Sequence, residues 1–188
     1  MQEGILERYS EVLGLPVICV DSGKRIGSVC DLLFFPKYKK VRAILLEQTG
    51  CHIGKKAILL EDLLSMGKDA VIINDLSCTK KIRDLEANDN LGKKGKLIGL
   101  RIYSKSGEDF GTVKDILFDY KTGTIEGLEI SNCLVYDIMQ GRNIIPLFGK
   151  VEFSEENILV DNEAIDEMQN TGGGLIKKLL PNESYEKR

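Results

Sequence analysis

Large apolar residues along the chain fall in short, β-branched runs separated by polar turns. In the first half the runs are VICV (17–20), VCDLLFF (29–35), VRAILLE (41–47), AILL (57–60) and AVII (70–73). In the second half they are LIGLRIY (97–103), TVKDILF (112–118), IEGLEI (125–130), NIIPLF (143–148) and NILV (157–160). Gly- and Lys-rich turn signals divide them: DSGK and SKSG, PKYKK and DYKTG, SMGKDA and SEEN. Runs this short are strands, not helices, and about six of them per half predict a small sandwich or barrel. A closed barrel is favoured, because so few strands otherwise leave costly open edges. Helices are expected to be minor: residues 2–12, part of the stretch near residue 80, and 162–170.

The pattern repeats. Sliding the sequence by 84 positions lays residues 17–46 on 101–130 without a gap. The identities are Ile18/Ile102, Ser22/Ser106, Gly23/Gly107, Gly27/Gly111, Val29/Val113, Asp31/Asp115, Leu33/Leu117, Phe34/Phe118 and Lys37/Lys121. After a small insertion, 57–75 falls on 143–162 less closely. Self-similarity at one long period means a duplicated structural unit. The expected organisation is a first module over 1–78 with its core in 14–78, a short helical linker over 79–94, a second module over 95–170, and a Gly-hinged C-terminal tail over 171–188.

Composition supports small aliphatic cores. Hydrophobic residues make up 43% of the 188 positions, aromatics only 6%, and tryptophan is absent. The net charge of −3 is unevenly spread: residues 1–96 carry 16 Lys/Arg against 13 Asp/Glu, and the remainder 10 against 16. A basic half joined to an acidic half favours different partners for each. The five cysteines, Cys19, Cys30, Cys51, Cys78 and Cys133, lack CxxC spacing, so neither a disulfide framework nor a zinc site is expected. A reducing cytoplasm fits them best. The N-terminal residues lack the pattern of a signal peptide, and no apolar run is long enough to span a bilayer.

The segment Ile26-Gly27-Ser28-Val29-Cys30-Asp31-Leu32-Leu33-Phe34 and its second copy, Phe110-Gly111-Thr112-Val113-Lys114-Asp115-Ile116-Leu117-Phe118, resemble the opening motif of PRC-barrel domains. Ile145-Pro146-Leu147 through Val151 is similar to the family's later segment, with Leu60 in place of the proline in the first copy. The resemblance implies an all-β chain of two tandem PRC-like β-barrels, each of about six strands. It also implies the family's company: the cytoplasmic domain of the photosynthetic reaction-centre H subunit, the C-terminal domain of a ribosome maturation factor, and stand-alone microbial proteins. The tandem layout and tail resemble stand-alone proteins of Gram-positive bacteria. Docking to other proteins is the common theme, though fold alone assigns no function.

Candidate positions follow from the residues. Asp31 and Asp115 lie on apolar strand faces, where a carboxylate must be hydrogen-bonded or sit at a bulge. They are either one acidic binding point per module or a carboxylate that locks the backbone. Gly27 and Gly111 sit inside strands and mark a bulge or close approach, not a phosphate loop. Cys51-His52 holds the only histidine, and no second cluster completes a metal site. Lys37, Lys39, Lys40 and Arg42, with Lys55 and Lys56, continue through Lys80, Lys81, Arg83, Lys93, Lys94 and Lys96. They form a solvated face or a patch for RNA or an acidic protein; Tyr38 alone is interleaved for base stacking. In the tail, Leu175, Ile176, Leu179 and Leu180 fall on one helical face with Lys177 and Lys178 opposite: a docking peptide, a weak membrane-surface contact, or a helix that packs back on its own barrel.

No constellation has the spacing of a catalytic site, and no cofactor or metal is expected. The sequence therefore points to a cytoplasmic, non-enzymatic protein–protein interaction adaptor or scaffold with an unidentified protein partner. The alternative is an RNA- or ribosome-associated factor using the basic first module and linker. Membrane contact is expected only through the tail or another protein, and homo-oligomerisation is left open.

Overall fold

The computed structural model describes residues 6–35, 39–47, 56–87, 96–131, 144–147, 151–154 and 156–161. Its contacts divide the chain into two units. One comprises Met1–Lys96 with Phe118–Ile125, and the other Leu97–Leu117 with Glu126–Arg188.

The first sheet contains β2 (Pro16–Cys19), β3 (Lys24–Phe35), β4 (Lys40–Glu47), β5 (Lys56–Leu59), β6 (Leu63–Met66), β7 (Val71–Ile73) and β8 (Thr79–Lys81). These are preceded by β1 (Leu6–Arg8) and a short helix α1 (Tyr9–Val12), so the helix expected over 2–12 is one turn long. The strand order is β6-β7-β2-β3-β4-β5-β8. All neighbours are antiparallel except β2 and β7. Among the described residues the pairing is an open path curled into a half-barrel. Its two edge strands are only three or four residues long, which limits the unpaired backbone they present.

The second sheet is built from β9 (Arg101–Ser104), β10 (Asp109–Asp119), β11 (Ile125–Ser131), β12 (Ile144–Pro146), β13 (Val151–Phe153) and β14 (Asn157–Val160). Read from β13, its order β13-β14-β9-β10-β11-β12 matches β6-β7-β2-β3-β4-β5 strand for strand. The parallel pair recurs as β9 with β14. Both units are therefore the predicted small β-barrel modules, six strands in the same topology.

Register refines the equivalence. Gly27 pairs with Val17 in the first unit, and Gly111 with Ile102 in the second. Val17 and Ile102 are fully buried, whereas Ile18 and Tyr103 are half-buried. The structural counterpart of Ile102 is thus Val17, and the identity Ile18/Ile102 is accidental. A one-residue slip would reverse the buried and exposed faces of the strand. The difference is absorbed in the following turn, where Gly23 and Gly107 close equivalent bonds to Val20 and Ser104 with left-handed φ of 64° and 92°. Likewise Ala43 pairs with Leu59 and Gly127 with Pro146, so the counterpart of Pro146 is Leu59, not Leu60.

The inner face is shared. Val17, Phe34, Ile44, Ile58 and Ile73 are buried in one unit, and Ile102, Phe118, Leu128, Ile145 and Val160 are their buried counterparts. Among the described residues the outer face is not shared. In the first unit Leu33, Phe35, Ala43, Leu45, Ala57 and Leu59 form a second buried cluster with Leu85, against which Ile82 packs. Leu85 and Ile82 belong to a helix, α2 (Ile82–Ala87), that follows β8. The stretch read as a linker therefore starts with a strand and a covering helix. The β3–β5 strands are buried on both faces, which explains their continuous apolar runs. In the second unit Leu117 and Ile144 form the matching cluster. There Gly127 and Glu129 stand where the first has Ala43 and Leu45. The helix expected at 162–170 lies outside the described residues.

Candidate interaction surface

Asp31 and Asp115 occupy the same local structure. The pairing of β3 with β4 shifts between Val29 and Asp31, which makes Cys30 the extra residue of a bulge. The bulge reverses the alternation, so Asp31 shares the outer face with Leu33 and not the inner one with Val29. Its Oδ1 accepts the N–H of Leu32 at 2.8 Å and the hydroxyl of Tyr9 at 3.1 Å. Asp115 Oδ1 accepts the N–H of Ile116 at 2.8 Å and is 7% exposed. A bulge frees a ladder N–H, and a carboxylate one residue back is placed to take it. The geometry of both aspartates is that of a backbone lock.

Gly111 also marks a bulge. The pairing of β10 with β9 shifts between Asp109 and Gly111, and Gly111 has φ of 94°. Asp109 accepts the Gly111 N–H at 2.8 Å and the Arg101 guanidinium. The first unit shifts at the matching place, opposite Val17 and Ile18.

The basic residues are only partly gathered. Lys40 and Arg42 are half-buried on β4, and Lys39 precedes them with φ of 50°. Lys37 and Tyr38, and Lys55 with Cys51 and His52, lie outside the described residues. The sheet does bring Lys56 directly opposite Lys81, with Lys80 beside them held by Asp62 at 2.9 Å. Like charges opposite one another cost stability unless an anion or solvent relieves them. Leu175, Ile176, Leu179 and Leu180 fall outside the described residues. Among those described, no group of three or more His, Cys, Asp or Glu could hold a metal, and no helix is long and apolar enough to cross a membrane.

Two features were missed in the sequence. Glu7, on β1, is half-buried, and burial pushes its carboxyl up to about 6; Glu11 adds to the rise and Lys68 opposes it. Three large apolar side chains of the first unit, Val20, Leu64 and Leu76, are more than half exposed. In the run-based reading Val20 ended a core strand, and Leu64 and Leu76 fell in no run. The register shift between Leu63 and Ser65 sets Leu64 outside the ladder, more exposed than its half-buried neighbours.

The second unit treats the same corner differently. Lys105 Nζ lies 3.2 Å from both Glu152 and Asp161, and these partners, Glu152 first, hold the ammonium above its ordinary value. Surfaces thus diverge where the scaffolds agree.

A search of curated proteins returns no match. The family model for the PRC-barrel domain matches twice, over residues 5–77 and 94–164. Each match covers the six equivalent strands of one sheet with its Asp motif, and together they span most of the chain: this protein belongs to the PRC-barrel domain family, as a tandem of two.

Proposed function

We propose that this chain is a non-enzymatic docking protein, a cytoplasmic adaptor or scaffold that binds other proteins through the surfaces in which its two barrels differ. One observation carries the reading. Strand order, parallel pair, bulges and Asp locks are duplicated, while the outer face, the corner beside β7 and β14, and the charge are not. A duplicated scaffold with divergent surfaces suits two different contacts. Membership of a family commonly involved in protein interactions supports the same reading. The test is a pull-down from a native lysate with the full chain and with a chain lacking residues 172–188. A protein recovered at high salt by the full chain and lost with the truncation is expected. Recovery of no partner would sink the reading.

A second reading has one specific support. The like-charged Lys56–Lys81 pair at the β5–β8 edge favours an anionic partner such as RNA or a ribosomal surface. It requires cosedimentation with ribosomes at low salt and release at high salt.

A further inference from the structure

Val20, Leu64 and Leu76 are 52%, 64% and 57% exposed. All three flank the C-terminal end of β7. The Val20 N–H donates to Ile73 O at 3.0 Å, which sets Val20 beside the last residue of β7. Leu64 is the extra residue between the pairs Leu63–Ile73 and Ser65–Ile72. Leu76 opens the 3₁₀ turn just beyond Asn74 and Asp75. Isolated exposed leucines are ordinary, but three around one strand end form a patch.

The second unit shows what this corner looks like when closed. Lys105 donates its N–H to Val160 O as Val20 does to Ile73 O, so Lys105 stands in the place of Val20. It is tied to Glu152 and Asp161. Leu64 has no counterpart, because β13 pairs with β14 without a shift. The first unit has an apolar surface where its duplicate has an ion-paired one.

The patch has an acidic rim. Asp21, whose N–H donates to Asn74 O, and Glu61, just before β6, are exposed, while Asp75 is half-buried and caps the turn through the Ser77 N–H. An occupant should therefore combine aliphatic side chains with cationic ones at short spacing. Residues 175–180 have that chemistry: Leu175, Ile176, Leu179 and Leu180 around Lys177 and Lys178.

We propose that the Val20–Leu64–Leu76 patch binds residues 175–180 of a second copy of the chain, so that the protein associates head to tail. The proposal rests on the docking reading above and names one partner for it. The aliphatic residues of this segment cover the three exposed side chains, and its lysines, rising from the opposite face, reach around on their long stems to the rim carboxylates of Asp21 and Glu61. Such a contact is heterologous: patch and tail are different surfaces, so each copy carries one of each.

That asymmetry gives the test. Sedimentation equilibrium is run on the full chain, on Leu64→Asp, on a chain ending at residue 171, and on an equimolar mixture of the two variants. The full chain should gain mass with concentration. Each variant alone should associate at least about tenfold more weakly, since a charge buried in a contact or a lost anchor costs that much. The mixture should form a one-to-one complex, because Leu64→Asp keeps its tail and the truncated chain keeps its patch. Lys177→Glu/Lys178→Glu should weaken association to a similar degree. The proposal is overturned if the full chain stays monomeric to about 100 µM, the weak end of specific contacts, or if the mixture forms no complex. A monomeric chain that still captures a different protein overturns this self-contact and leaves the docking reading standing.

Discussion

Replacing Asp115 with Ala removes the acceptor of the Ile116 N–H, a bond of 2.8 Å in surroundings where the carboxylate is 7% exposed. Ile116 is itself buried, so little water reaches the orphaned donor. A buried backbone N–H without an acceptor costs about 1–3 kcal/mol, and a bond to a charged acceptor sits toward the top of that range. We expect about 2 kcal/mol of destabilisation, which for a unit of this size lowers the melting temperature by roughly 10 °C. Asp115→Asn keeps an oxygen in the same place and should cost about half as much or less. Asp31→Ala should cost about 1–2 kcal/mol, since Asp31 is half-buried but serves the N–H of the buried Leu32 and the Tyr9 hydroxyl. Thermal melts followed by circular dichroism give the totals. Amide exchange gives the location: in Asp115→Ala, Ile116 should lose protection before the rest of β10. Wild-type stability in Asp115→Ala, or equal damage from Asn and Ala, would refute the backbone-lock reading.

Other substitutions probe the packing. Gly127→Val should destabilise the second unit by about 2 kcal/mol in urea titration, because a Cβ at Gly127 stands 2.9 Å from Ile144 Cγ2 and 3.5 Å from Ile145 O. Leu85→Ala should cost about 2–4 kcal/mol, by uncovering the outer cluster of the first unit, and a loss below 1 kcal/mol would mean that α2 does not cover it. Glu7 is raised in the folded state, so its favourable contribution is full below pH of about 4.5 and disappears as pH rises through about 6. Glu7→Gln should therefore stabilise the chain at pH 7.5 by about 1 kcal/mol, discounted for partial exposure, and change little at pH 4; equal effects at both would contradict the burial argument.

The duplicated fold was legible because its identities fall on residues the backbone needs. Gly23 and Gly107 close left-handed turns, and Asp31 and Asp115 each hold the N–H of the following residue, so few substitutes serve there. Register was less legible. The match Ile18/Ile102 hid a one-residue difference that only the burial of Val17 and Cys19 against Ile102 and Ser104 reveals. The covering helix was read as linker because, among its described side chains, just Ile82 and Leu85 reach the core. The contrast between its double-sided burial and the second unit was visible all the same: AILL at 43–46 is continuous, whereas IEGLEI at 125–130 alternates. The exposed patch could not be read, since Val20 ends an apolar run and Leu64 lies between two, and only the loop and bulge geometry turns them outward.

The central claim is that the differing surfaces of two like barrels do the docking. It is tested most directly by crosslinking the full chain in cells, followed by peptide mass spectrometry, beside the Leu64→Asp variant. The account predicts partner peptides, from this chain or another protein, attached near the β6–β7 corner of the first unit, resistant to ribonuclease and lost in the variant. Crosslinks confined to the Lys56–Lys81 edge and abolished by ribonuclease, or an identical pattern in the variant, would contradict it.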